Sequence, residues 1–141
     1  MGSGTATRQT AGMPENPILV FLAAGRIFIG LTALIVPGVV TRALLGPDAS
    51  RPTVRYLARL VGARDLVLGA VLLRATQTGE GVVPALWAGA ACDVLDAKLS
   101  FFSRRALTRW GRRLMLGAAV SYAATGAGTA VRRTQAAVAT T

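Results

Sequence analysis

The stretch Ile18-Leu19-Val20-Phe21-Leu22-Ala23-Ala24-Gly25-Arg26-Ile27-Phe28-Ile29-Gly30-Leu31-Thr32-Ala33-Leu34-Ile35-Val36 carries no charge except Arg26. It is close to the roughly 20 residues that cross a hydrocarbon core, and Pro37-Gly38 closes it. Three stretches of similar character follow, at about 54–73, 82–102 and 114–131. No alternating pattern of the β type competes with them. The expected fold is therefore all-α: a polytopic integral membrane four-helix bundle over residues 17–131. Residues 1–16, rich in Gly, Ser and Thr, are expected to form a disordered leader, and residues 132–141 a disordered tail.

Composition sets the same problem at the scale of the chain. The protein has 141 residues, 52% of them hydrophobic, and a formal net charge of +10; its mean hydropathy is +0.50. A soluble domain of this size has too little interior for so much apolar surface, and a disordered basic chain would be poor in apolar residues. Four spans with arginine-rich connections satisfy both numbers. Two alternatives remain: a soluble helical bundle with long core helices, or a cleavable leader ending near Ala23-Ala24-Gly25. The apolar pattern resumes over Ile27–Val36 after Arg26, which disfavours cleavage.

The boundaries carry helix signals. Ser50 or Asp48 is the expected cap of the second span, with Pro52 in its first turn. Thr78-Gly79-Glu80-Gly81 separates the second and third spans, and Ser103–Arg113 leads into the fourth. Val39–Leu45 is expected to lie on the membrane surface as a short interfacial helix.

Several chemistries are excluded. The chain has no histidine and one cysteine, Cys92, so imidazole relays, histidine zinc sites and an intrachain disulfide are ruled out. No Walker or dinucleotide fingerprint is present. Asp93-x-x-Asp96-Ala97 shares two aspartates with the start of the CDP-alcohol phosphotransferase signature. The following glycine and the downstream aspartates are missing, so that assignment is rejected. No cofactor or metal is expected; a hard cation at Asp65, Asp93 and Asp96 is the weak exception.

Arginine placement predicts topology. Arg42, Arg51, Arg55, Arg104, Arg105, Arg109, Arg112 and Arg113 fall in the first and third connections, against Arg8, Arg74, Arg132 and Arg133 on the other side. The bias puts the first side in the cytoplasm and both termini outside. Those eight arginines are expected to meet the anionic inner leaflet rather than nucleic acid. Fifteen of the 16 basic residues are arginine, a bias suggesting a GC-rich bacterial genome. Trp87 and Trp110 are expected as interfacial anchors, Arg59 and Lys98 to snorkel outwards, and Cys92 to pack as a small residue.

Five charges fall inside the spans: Arg26, Arg64, Asp65, Asp93 and Asp96. Each costs at least about 2.5–3.5 kcal/mol if left unpaired in lipid. Spacings of three and four align four of them with small residues: Ala23, Arg26, Gly30 and Ala33; Ala58, Gly62, Asp65 and Gly69; Ala85, Gly89, Asp93, Asp96 and Ser100; Arg64 points about 100° away from Asp65. The fourth span offers Gly117, Ser121, Thr125 and Gly128. At 1.5 Å per residue the five charges share a layer about 9–15 Å from the cytoplasmic ends. Arg26 and Arg64 then face three carboxylates, so one carboxylate is left over, and Asp93 or Asp96 is expected to hold a proton if both are poorly solvated. The cluster is read either as structural ion pairs or as a site for a polar ligand, ion or proton. Ser121, Tyr122 and Thr125 are its expected polar support.

Leu60-Val61-Gly62-Ala63-Arg64-Asp65-Leu66-Val67-Leu68-Gly69 resembles a Gly-x-Arg-Asp-x-x-x-Gly motif in an uncharacterised family of small four-helix bacterial membrane proteins. Arg26 matches the early arginine of that family, and Asp93 or Asp96 its aspartate in the third helix. In size and span count the chain is also similar to DoxX-like membrane proteins. The resemblance implies a fold and a membrane location, and no activity. Small size and short loops make a non-enzymatic accessory or assembly component, in a homo-oligomer or with a membrane partner, the first functional expectation. The alternatives are a carrier or binding protein using Arg26, Asp65, Asp93 and Asp96, and an enzyme acting on a lipid-linked substrate through Asp93 and Asp96.

Overall fold

A computed structural model describes residues 17–102 and 105–139, apart from the side chains of 47 and 48. The leader, Arg8, Arg104 and the last two residues lie outside the described set. The elements are α1 (Pro17–Ile35), α2 (Pro37–Leu45), a 3-10 turn (Gly46–Ser50), α3 (Pro52–Thr78), α4 (Val82–Phe102) and α5 (Arg109–Ala139). The fold is all-α, with no strand among the described residues.

Helix boundaries follow local chemistry more than hydropathy. Pro37 and Pro52 each open a helix, where a missing N–H costs nothing. The N-cap of α3 is Arg51, not Ser50 or Asp48, because Ser50 closes the preceding 3-10 turn. α3 runs past its apolar stretch to Gly79, whose φ of 77° takes the left-handed form open to glycine and whose N–H bonds Ala75 O at 2.9 Å. α5 begins at the cap supplied by Thr108, whose Oγ1 accepts the Gly111 N–H at 2.9 Å. It continues through Arg132 and Arg133 to Ala139, where a frayed tail is expected from polarity. The segment contains four good helix formers in Gln135, Ala136, Ala137 and Ala139 and no glycine or proline to stop it.

Two helix pairs make the body of the fold. α1 and α3 run antiparallel with their backbones in close approach. A β-carbon on Gly30 would come within 2.6 Å of Leu66 N, and one on Gly62 within 2.8 Å of Gly30 O. Farther along, Gly69 lies against Ala23 and Ile27. α4 pairs with α5, where Gly126 meets Leu86 and Ala90. At one end the two pairs close over an apolar core that includes Leu19, Leu22, Leu72, Val82, Leu86 and Ala130.

At the other end α2 caps the assembly. The Thr108 N–H donates to Leu44 O at 2.9 Å, and Gly111 sits so close to that carbonyl that a side chain there would collide with it. Thr41, buried on α2, turns its hydroxyl back to Pro37 O at 2.8 Å. Every predicted small-residue position on α1, and Gly62, Asp65 and Gly69 on α3, is buried. On α5 the buried face is Gly111, Ala119, Gly126 and Ala130. Gly117 and Gly128 face open space instead.

Around the charges the polarity is inverted. Phe28 is 72% exposed while Arg26, two residues earlier, is 6% exposed. Phe21, Ile35, Val67, Leu99 and Phe102 are also exposed, whereas Asp65 and Asp93 are buried. By length and composition α1 and α5 can each cross a membrane, with mean hydropathies of 2.4 and 1.3 over their most apolar windows. Trp87, Trp110, Arg59 and Lys98 are exposed, and Cys92 is a half-buried free thiol.

Candidate functional site

Arg26 sits one turn before Gly30 on the buried face of α1, so its guanidinium enters the space between the two helix pairs. Nη2 of Arg26 lies 2.5 Å from Asp93 Oδ2 on α4 and donates to Gly89 O at 3.2 Å. Nη1 lies 3.5 Å from Asp65 Oδ1 on α3. The ring of Tyr122 on α5 faces the guanidinium carbon at 5.3 Å, within cation–π range. One arginine thus touches all three other long helices. Gly89 makes room for it: a β-carbon there would be 3.1 Å from Nη2.

Arg64 makes the second half of the layer. Its Nη1 and Nη2 reach Asp96 Oδ1 and Oδ2 at 2.8 and 2.5 Å, a fork-to-fork pair between α3 and α4. Nη2 and Nε also approach Asp65 Oδ1, at 3.1 and 3.3 Å. Asp65 therefore lies between the two arginines. The leftover carboxylate of the charge tally does not exist as a separate group, because Asp65 is shared and each aspartate has a guanidinium partner. Among the described residues no buried side-chain nitrogen or oxygen lacks a hydrogen-bond partner. With all five groups ionised, two guanidiniums against three carboxylates still leave the layer one negative charge.

All five charges singled out in the sequence meet in this layer. Tyr122 joins them through its ring face, a role its spacing did not reveal. Ser121 and Thr125 stand apart: both are exposed, and Thr125 Oγ1 donates to Ser121 O at 2.7 Å within α5. Tyr122 takes the inward direction, and its neighbours on either side of the turn are carried outwards. The backbone acceptor Gly89 O has no signal of its own in the sequence beyond sharing a stripe with Asp93.

A cavity of about 340 Å³ lies between this layer and α2. Arg26, Asp65, Asp93, Asp96 and Tyr122 form its polar floor. Its walls are apolar, with Ile29 and Ala33 from α1, Leu57 and Val61 from α3, and Met115 and Ala119 from α5. Thr41, Leu44 and Leu45 of α2 roof it. The short helix expected to lie flat on a surface is thus also a structural lid over the charges. Among the described residues no group of three or more His, Cys, Asp or Glu is arranged to hold a metal ion. Chemically the arrangement offers a slot for an apolar body, ending in a carboxylate-rich, hydrogen-bonding floor.

No family model matches the chain, and no curated protein or solved structure matches it either.

Proposed function

We propose that this chain is a multi-pass protein of the bacterial plasma membrane that binds a small amphipathic molecule in the cavity above its Arg–Asp layer. The observation that carries the ligand reading is the junction of an apolar cavity with a floor of one arginine, three aspartates and Tyr122. Sites for small molecules are commonly concave and mostly apolar, with a few converging polar groups. The surplus negative charge of the floor favours a cationic or hydrogen-bond-donating head, and the walls favour an alkyl or aryl body.

The membrane reading rests on the inverted polarity. Large apolar side chains face outwards on the long helices while the charges are paired inside, the distribution expected when hydrocarbon is the solvent. In this reading α1, α3, α4 and α5 are the four spans. Pairing within the layer offsets the cost of the charges on α3 and α4. Arg42, Arg51, Arg55, Arg105, Arg109, Arg112 and Arg113 then collar the cytoplasmic end, and both termini lie outside.

An accessory or assembly subunit, the first expectation from size, has no feature of its own comparable to the cavity. An enzyme using Asp93 and Asp96 is disfavoured because arginines engage both carboxylates. Hexylammonium and hexanoate test the proposal on the purified protein in mild detergent. Hexylammonium is expected to raise the melting temperature and hexanoate to leave it unchanged. Equal effects of the two probes, or none from either, would overturn the ligand reading.

A further inference from the structure

A second concavity lies on the outside of the α1–α2 corner and shares no residue with the first. Arg42 of α2 and Arg55 and Arg59 of α3 line a groove of about 690 Å³ beside Ile35, Val36 and Val39. Among the described residues no carboxylate lines it. Nε of Arg59 donates to Leu34 O at 3.4 Å. Ile35 is 72% and Val39 67% exposed, so the apolar rim faces away from the protein. Three guanidiniums from two helices gather with no ion-pair partner among the described residues, directly beside unsatisfied hydrocarbon surface. Guanidinium groups are suited to bidentate capture of phosphate oxygens.

We infer that this groove binds the phosphodiester headgroup of an anionic membrane phospholipid, with the acyl chains lying along Ile35 and Val39. The inference rests on the membrane reading and adds to it a defined site in place of diffuse attraction to a charged leaflet. Arg109, Arg112 and Arg113, at the same end of the molecule, follow one another along α5 and do not line this groove. The complementarity is to a ligand that is both anionic and oily. A nucleic acid would satisfy the arginines and leave the apolar rim exposed.

The test uses the full chain in phosphatidylcholine vesicles doped with phosphatidylglycerol. Native mass spectrometry after gentle release reads the ratio of the two lipids that stay bound. Phosphatidylglycerol is expected to be retained in preference. Each basic residue at an anionic surface is worth about fivefold, so the triple variant R42Q/R55Q/R59Q is expected to lose on the order of a hundredfold of that preference. The matched triple R109Q/R112Q/R113Q, which does not line the groove, is expected to lose far less of it. The single R55Q variant is expected to lose about fivefold and decides the matter if the first triple does not fold.

Dihexanoyl phosphatidylglycerol is expected to displace the bound lipid, and inorganic phosphate to leave it in place. Equal losses in the two triples would overturn the site in favour of diffuse charge. Displacement by inorganic phosphate would overturn the lipid assignment. A wild-type protein that inserts and shows no lipid preference defeats this inference alone, whereas one stripped from the vesicles by alkaline carbonate defeats the membrane reading together with it.

Discussion

Replacing Arg26 by alanine removes one guanidinium from the bonds it makes to Asp93, Asp65 and Gly89 O. Asp93 is buried, and Arg26 is its only guanidinium partner among the described residues. The variant therefore leaves an uncompensated carboxylate in the interior, a change that typically costs about 3–5 kcal/mol. Loss of the stacking on Tyr122 adds about 0.5–2 kcal/mol. The uncompensated carboxylate by itself lowers the folding equilibrium by about two to nearly four orders of magnitude. Equilibrium unfolding in a mild detergent, followed by helical circular dichroism, measures it. The double variant Arg26→Met, Asp93→Leu removes both charges and fills their space with apolar atoms, so it is expected to recover most of the loss. Arg64 and the remaining aspartates keep their own pairs in that variant. An Arg26→Ala protein within about 1 kcal/mol of wild type, well below the cost of breaking a buried pair, would refute the ion-pair layer as a stabilising element. A double variant no better than Arg26→Ala would show that the cost comes from lost packing instead.

Other perturbations probe separate parts of the structure. Arg64→Lys keeps the charge and loses the fork to Asp96, and its one-third exposure keeps the expected cost near 1 kcal/mol in the same unfolding assay. Gly30→Val drives atoms into the α3 backbone and is expected to cost about 3 kcal/mol; near-neutral stability would argue against the close α1–α3 approach. Ala58→Phe projects into the cavity from α3, so the shift produced by hexylammonium is expected to vanish while the unliganded protein stays folded. In a Cys92→Ala background, a membrane-impermeant maleimide applied to intact cells is expected to label Glu80→Cys and to spare Arg105→Cys. The reverse labelling would invert the proposed topology.

How much of this was visible beforehand depends on what each feature is made of. The stripes on α1 and α3 were legible because a helix has one period, and a charge flanked by small residues three and four positions away can be placed on a face. The meeting of the five charges follows from shared depth and alternating direction, which chain length alone supplies. α5 misled because small residues occupy more than one of its faces: Gly117, Ser121, Thr125 and Gly128 make as good a stripe as Gly111, Ala119, Gly126 and Ala130. The choice between them was made by Tyr122, whose ring has a cation to cover, and by the Leu44 carbonyl, which admits only glycine at 111. Both are tertiary facts. The sharing of Asp65 between two arginines, and the cavity beneath α2, likewise depend on how far apart the helix pairs stand, and no spacing rule encodes that distance.

The clasp between the two helix pairs has a consequence for biosynthesis. Arg26 is separated in the chain from Asp65 by 39 residues and from Asp93 by 67, and Arg64 from Asp96 by 32. If the protein is threaded into the bilayer as it is made, Arg26 leaves the ribosome long before its main counter-ion. At ordinary elongation rates that interval is about 3–13 s. Until Asp65 follows partway through it, α1 has no internal neutraliser, so the insertion machinery, water or lipid headgroups must shelter the charge. In that case the fourth helix in the order of synthesis, α4, delivers both Asp93 and Asp96, and only its arrival gives each guanidinium its nearest carboxylate.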